Sequence, residues 1–272
     1  FDFTARVIGI CGLNGKGKTN LLDAIYYCCF TKSYFTATDQ LNISFGKEGF
    51  RLEALFQDGA APQKVVCINR GPAKKEFFLN DVPYEKLSKH IGLLPMVMIA
   101  PDDIEIITGG SEDRRKLIDS ILCQLDATYL QQLMVYNKVL LQRNSLLKQF
   151  AEKGHTDEPL LQVLDHQLTG PGNYVFEKRK AFTHDLVPLV QDFYQQIAEN
   201  EEIIKIHYES KLLQLGLDEL LVKNRERDAY LQRTNAGPHK DDLIFELNGQ
   251  AFKSIASQGQ RKSLLFALKL AE

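Results

Sequence analysis

The chain has 272 residues, 44% hydrophobic and 25% charged, and its 33 basic and 35 acidic side chains leave a formal net charge of −2; these are the proportions of a globular protein with a real core. So even a balance excludes binding of nucleic acid by overall charge, and any polyanion requires a local patch. The longest apolar runs, such as LLPMVMIA at 93–100, fall far short of the roughly 20 residues of a membrane span, and no charged-then-apolar leader opens the chain, so the expectation is a soluble intracellular protein without a membrane partner.

In chain order, ARVIGICG is an apolar run ending in glycine, and in the following LLDAIYYCC, Leu21, Leu22, Ile25 and Cys28 or Cys29 recur at helical spacing, which predicts strand, glycine loop and helix. FRLEALFQ, KVVCINR and KEFFLND, separated by DGAAP and RGPA, predict an antiparallel meander from 50 to 80, and PMVMIA predicts a buried strand after it. SEDRRKLIDSILCQL opens on a capping serine with acids in its first turn, and DATYLQQLMVYNKVLLQRNSLLKQF places Leu130, Leu133, Met134, Leu140, Leu141 and Leu147 on one stripe. Two amphipathic helices follow.

More helix is expected from Glu158 to about Asn200, broken or kinked by TGPG at 169–172. EEIIKIHYES alternates as a strand, LLQLGLDELLVKNRERDAYLQ returns to helix, and DDLIFELNGQAFK has a hairpin pattern with Asn248-Gly249 at the turn. The plan is an α/β head interrupted by a helical insertion. Its expected divisions are 1–108 for the first part of the head, 109–229 for a helical arm, and 230–272 for the second part of the head. The five cysteines, at 11, 28, 29, 67 and 123, lack CxxC spacing and mostly lie in apolar stretches, which predicts reduced, buried thiols; the six histidines show no metal-site spacing.

GLNGKGKT matches G-x-x-x-x-G-K-[ST], a loop whose backbone N–H groups face phosphates while its lysine reaches the β and γ groups and its hydroxyl holds Mg²⁺. Here those are Lys18 and Thr19; Gly12, Gly15 and Gly17 allow the tight curl, and Asn14, Lys16 and Asn20 complete an ATP-binding set. A second motif, SQGQRKSLLFALKLAE, places Ser257, Gln258, Gly259 and Gln260 at the start of a helix. It resembles the signature motif of ABC-type ATPases, which implies that the serine and the helix N-terminus act in trans on the γ-phosphate held by another subunit.

GLNGKGKTNLLDAIYY, IAPDDIEIITGGSEDRRKLID, YNKVLLQRNSLLK, GPHKDDL and SQGQRKSLLFALKLAE run in that order across nearly the whole chain. Together they resemble successive landmarks of the RecF family of bacterial DNA repair proteins. The resemblance implies an α/β fold: a P-loop ABC-type head with a mixed sheet plus the meander and a short helical arm, related to the Rad50 and SMC heads without their long coiled coil. It also implies ATP-dependent homodimerisation on DNA, both duplex and single-stranded gaps, and work with RecO and RecR to load recombinase in repair, replication restart and the SOS response, in the bacterial cytoplasm at the nucleoid. A weak DNA-stimulated ATPase is expected of the intact protein. The Walker B carboxylates, which the family places just beyond Glu272, are not in the chain, so no catalytic residue is assigned and the chain reads as a fragment or a trimmed core.

MVMIAPDD offers Asp102 and Asp103 as switch-loop or cap residues, and KSYFT carries Phe35 where many relatives have arginine. His239 and Lys240 in GPHKDDL are further candidates near the nucleotide. Basic clusters at Arg114-Arg115-Lys116, Lys178-Arg179-Lys180, and Lys223, Arg225 and Arg227 read on composition as solvated helix faces mixed with acids. The resemblance favours DNA binding, with Arg114, Arg115, Lys178 and Arg179 as the candidate contacts. The rival readings are the head of another ABC or SMC-type ATPase, a transporter nucleotide-binding domain, or a structural head that ATP only stabilises.

Overall fold

Alternation of apolar and polar side chains between 50 and 83 becomes a four-stranded antiparallel sheet in order β1-β2-β3-β4, built from β1 (Phe50–Phe56), β2 (Gln63–Asn69), β3 (Lys75–Leu79) and β4 (Val82–Pro83). The computed structural model describes residues 1–57, 61–71, 75–153, 157–198 and 202–272, so parts of the DGAAP and RGPA separators and the expected helix end at Asn200 lie outside the described residues. The chain divides into two units, Phe1–Met96 and Val97–Glu272. This partition differs from the three expected segments, because the helices expected as an arm share one core with the strands and helix of 230–272.

In the first unit, Leu52 faces Cys67 across β1 and β2, and Cys67 faces Phe77 across β2 and β3. This register puts Val65, Cys67 and Phe77 on one side, where Tyr27 and Cys28 of α1 (Lys18–Phe30) cover them. Polar ties fix the second half of α1. Tyr27 donates to Asp39 at 2.6 Å, Lys75 bonds the same carboxylate at 3.0 Å with its ammonium over the Tyr27 ring, and His90 bonds the Cys28 carbonyl at 2.7 Å. Burial pushes the Cys28 thiol up to about 12, with Cys29 and Cys67 at about 11, so these three are inert thiols; Cys11, in contrast, is exposed.

Two expected strands are corrected. Residues 5–11 form no strand, and Val7 is 86% exposed, because none of the described strands offers a ladder to them. PMVMIA likewise lacks a ladder, and only Met98 and Ala100 within it are buried. Among the described residues both sheets are purely antiparallel, so the mixed sheet that the resemblance implied is not among them.

The second unit opens with the short α2 (Glu105–Thr108), then α3 (Ser111–Leu125), α4 (Ala127–Lys153) and α5 (Glu158–Ala198). The buried stripe of α4 is Tyr129, Tyr136, Val139, Arg143, Leu146, Leu147 and Phe150, whereas Met134 and Leu141 of the expected stripe are exposed. TGPG neither ends nor interrupts α5, which runs 41 residues with Pro171 and Pro188 inside it. Gly172 explains its own place there: a Cβ would sit 2.3 Å from Leu217 and 3.0 Å from the Tyr136 ring, so only glycine admits this approach.

A three-stranded antiparallel sheet follows, in order β5 (Ile204–Glu209), β6 (Asp242–Leu247) and β7 (Gln250–Ala251). Asn248 and Gly249 both have positive φ, the conformation that a two-residue hairpin of this twist requires. Helices α6 (Leu217–Lys223) and α7 (Arg225–Leu231) lie between β5 and β6, and α8 (Phe252–Ile255) and α9 (Gln258–Leu270) close the unit. Among the described residues no helix is long and apolar enough to cross a membrane.

One buried polar knot ties α4 to α5 and α7. Arg143, fully buried, donates to Asp165 at 2.7 Å, to Asp228 at 2.8 Å and to the Thr234 hydroxyl at 2.8 Å, and Arg225 reaches Asp165 from the other side. Removing one partner of such a set strands buried charge. Arg143→Met is expected to lower stability by about 3–5 kcal/mol, read from urea denaturation, since Asp228 would keep only the amide donors of Asn235.

Candidate nucleotide-binding loop and signature helix

Residues 12–17 curl into a loop because Gly12, Gly15 and Gly17 adopt φ of 150°, 76° and 85°. At Gly15 and Gly17 a side chain would be strained, although the surrounding space is open. Gly17 is also the N-cap of α1, and since it has no side chain to accept a bond, the N–H groups of the first turn stay directed into the concavity. Lys18 turns back over the loop, its ammonium 2.9 Å from the Gly12 carbonyl and 3.0 Å from that of Leu13. The loop's own carbonyl oxygens thus hold the ammonium over the turn.

Asn14, Lys16, Thr19 and Asn20 are all exposed around the same turn, and the Thr19 hydroxyl rises from the first turn of α1, the position expected of a Mg²⁺ ligand. The donor set therefore fits a magnesium triphosphate: amides and an ammonium for the anion, an alcohol oxygen for the cation. Beyond the loop, Asp23 accepts from the Ser33 hydroxyl and the Tyr34 N–H, both at 2.7 Å, which fixes the turn carrying Phe35; the Phe35 ring meets the edge of Tyr34 and presents no charge.

In the second unit, Ser257 caps α9. Its hydroxyl accepts from the Gln260 N–H at 3.2 Å, and Gln260 accepts from the Ser257 N–H at 2.7 Å while donating to Glu202 at 2.8 Å. A hydroxyl that accepts one bond retains its proton to donate. The exposed Ser257, Gln258 and Gly259 thus present a hydroxyl proton and the unpaired amides of a 13-residue helix to solvent.

The candidate DNA contacts separate into two kinds. Arg114 and Arg179 are buried and are corrected as surface residues. Arg114 grips Asp242 at 2.6 and 3.0 Å and the carbonyls of Ile106 and Gly109. Arg179 grips Asp119 at 2.9 Å through two nitrogens and the Pro238 carbonyl at 2.7 Å. Neither guanidinium faces solvent, because burial this deep is tolerated only with every partner supplied from inside. Lys178 stays at the surface but pairs with Asp126 at 2.8 Å, which holds that carboxyl down at about 2. Arg115 is half-buried and donates to the Asp241 carbonyl at 2.7 Å.

Asp103 accepts from the Ala100 N–H at 2.9 Å, as expected of a cap residue. His239 belongs to the interior of its loop: Nε2 lies 3.0 Å from the Thr234 carbonyl and Nδ1 2.6 Å from the Tyr136 hydroxyl. Because a carbonyl only accepts, Nε2 carries the proton and Tyr136 donates to Nδ1. No local signal in the sequence links His239 to Tyr136, which lies 103 positions earlier. Burial lowers the His239 pKa to about 4, so the ring is neutral here. Its contribution to stability is fully present above the unfolded value of about 6.5 and is lost as pH falls towards about 4. The His239 ring resonances are expected to titrate near pH 4 in an NMR series, with no inflection between 6 and 7.

The AAA domain family matches residues 1–236. Across its whole length the chain is 43% identical to the DNA replication and repair protein RecF of Flavobacterium johnsoniae, covering 76% of that protein, and 39% identical to RecF of Cytophaga hutchinsonii, covering 72%. A solved structure of the recombination mediator protein RecF with ATPrS in the RecFOR pathway superposes with a TM-score of 0.88 at 29% identity, over 96% of this chain and 72% of that one. The ATP form of RecF superposes equally well, at 28% identity.

Proposed function

The chain belongs to the RecF family of DNA replication and repair proteins, and from that premise we propose that it is an ATP-dependent DNA-binding protein of recombinational repair and replication restart, acting as a homodimer closed by ATP. The observation that carries this reading is the glycine loop with Lys18 poised over it, in a chain whose superposable relatives were solved with ATP and ATPrS. Lys18 and the amides of α1 would hold the β and γ phosphates, and Thr19 would hold Mg²⁺. The exposed hydroxyl proton and free amides at the start of α9 have the chemistry of a second anion site, which supports Ser257 acting on a triphosphate held by a second copy.

In this reading ATP is a shared ligand: two protomers bind one anion, so nucleotide occupancy sets the dimer population by mass action. Magnesium supplies charge neutralisation on the phosphates when bound. The closed dimer would hold duplex or gapped DNA and cooperate with RecO and RecR-type mediators in the bacterial cytoplasm. Hydrolysis, weak and DNA-stimulated in the intact protein, would serve release; no carboxylate of this chain is assigned to water activation.

Solution mass with and without Mg-ATP tests the proposal. The unaltered chain is expected to shift from 30.9 kDa to about twice that mass with ATP. Lys18→Met is expected to weaken ATP binding by roughly 10- to 150-fold, the loss of one charge-assisted contact of about 1.5–3 kcal/mol. Ser257→Arg should leave nucleotide affinity intact and abolish the shift; a dimer that persists in this variant overturns the trans pocket.

A further inference from the structure

The loop from Thr234 to Asp241 is held by an unusual share of the interior. Arg179 binds the Pro238 carbonyl, Arg115 binds the Asp241 carbonyl, Tyr136 binds His239, Tyr208 donates to the Asp241 carboxylate, and Asn144 accepts from the Thr234 N–H. Gly237, at φ 128°, leaves no room for a side chain, since a Cβ would lie 2.6 Å from the Tyr136 hydroxyl. Such anchoring exceeds what a connecting turn needs. It fixes the positions of whatever the loop shows to solvent.

The loop presents cations. Lys240 lies two residues before Asp242, and Lys211 lies two residues after Glu209; Glu209 and Asp242 are paired across β5 and β6, so both lysines emerge at the same end of this ladder. The bond from His239 to the Thr234 carbonyl folds the loop on itself and brings Arg233, next to Thr234, towards Lys240, next to His239. The guanidinium of Arg115 reaches the same point through the Asp241 carbonyl. Lys211, Arg233 and Lys240 are exposed, and among the described residues none of these four cations has an ion-pair partner.

Three neighbouring acids are already engaged, while Glu209, at the end of β5, is exposed and has no ion-pair partner among the described residues. Asp228 is committed to Arg143 and Asn235, Asp242 to Arg114, and Asp241 to Tyr208, with burial raising the Asp241 pKa to about 6. Partial burial, then the nearby charges of Arg233 and Arg115, lower the Lys240 pKa, so the cations crowd one another. Of the basic runs picked out by sequence, Lys116 pairs with Glu112, Lys178 with Asp126, Lys180 with Glu177 and Arg225 with Glu158 and Asp165, while Lys223 and Arg227, like Arg115, have no ion-pair partner among the described residues.

We propose that Lys211, Arg233 and Lys240, braced by Arg115, form a preorganised surface for the phosphodiester backbone of DNA, with Arg179 and Tyr136 as positioning residues beneath it. Like charges held together on a rigid loop are relieved by a polyanion, and phosphate contacts of this kind carry affinity without sequence preference. The inference rests on the DNA-binding reading above and assigns its contact surface.

The test is fluorescence anisotropy of a labelled 30-base-pair duplex and of a gapped form, titrated with the full chain in Mg-ATP between 50 and 200 mM salt. K211Q/R233Q/K240Q is compared with K178Q/K180Q, whose cations are already paired, and ATP affinity and thermal midpoint are measured for each. Loss of three phosphate contacts is expected to make the slope of log K against log salt shallower by about 2.7 and to weaken binding at least tenfold, whereas the paired-lysine control keeps the unaltered slope. ATP affinity and thermal midpoint should not change in either variant. If the unaltered chain binds no DNA, the family-based reading fails and this surface with it; if it binds and the triple variant binds with the same slope, this surface alone is refuted. A triple variant that loses ATP affinity but keeps DNA would make the patch a nucleotide-phosphate site and overturn the assignment.

Discussion

A buried guanidinium must find oxygen for its donors, and in the second unit this requirement shapes the surroundings of the 234–241 loop. Arg143, Arg179 and Arg114 are each 6% exposed or less, and they draw acceptors from α3, α7, β6 and the loop itself. The loop has no ladder to satisfy its backbone, so the arginines and the loop answer one another's needs: carbonyls and carboxylates that would otherwise be stranded become the partners of charges that would otherwise be stranded. Such sets are poor sources of net stability but strong sources of uniqueness in this unit, since any other arrangement leaves several groups unpaired at once.

Two 13-residue helices, α1 and α9, show opposite ways to begin. At α1 the cap is a glycine in a left-handed conformation that satisfies no amide, which keeps the first turn open for an external anion. At α9 the cap is a serine locked in a reciprocal box with Gln260, which satisfies one amide and leaves a hydroxyl proton and two others facing outwards. The first is a cradle whose own lysine rests on its carbonyls; the second is a rigid, preformed donor surface. A shared triphosphate would suit this difference, because enclosing it needs one flexible cation and one fixed lid.

Legibility in the sequence followed the distance over which each feature is satisfied. The meander, the Asn248-Gly249 hairpin, helices α3 and α4 and the start of α1 were readable, since their periodicity and turn residues act within a few positions. The strand expected at 5–11 was not formed, because a strand is completed only by a neighbour. The stripe on α4 was misassigned in part, because counting aliphatic residues passes over Tyr136 and Arg143, whose polar ends are met by partners 103 and 85 positions away. TGPG looked like a break, yet Gly172 is a contact point where two chain segments approach too closely for any side chain.

By itself the sequence determined the glycine loop, the polar cap at Ser257 and the family, since the first two are short patterns whose backbone geometry closes locally; the reciprocal bond from Gln260 that completes the box at Ser257 came from the structure. Only the tertiary structure decided which positive charges are available to a partner. Arg114 and Arg179 look like surface cations in a basic run but are consumed by acids 128 and 60 positions distant, while Lys211, Arg233 and Lys240, which form no run at all, are gathered by strand register and a folded loop. The physical reason is that the fate of a charge depends on burial and on the partners that burial brings, and neither is written in its immediate neighbours.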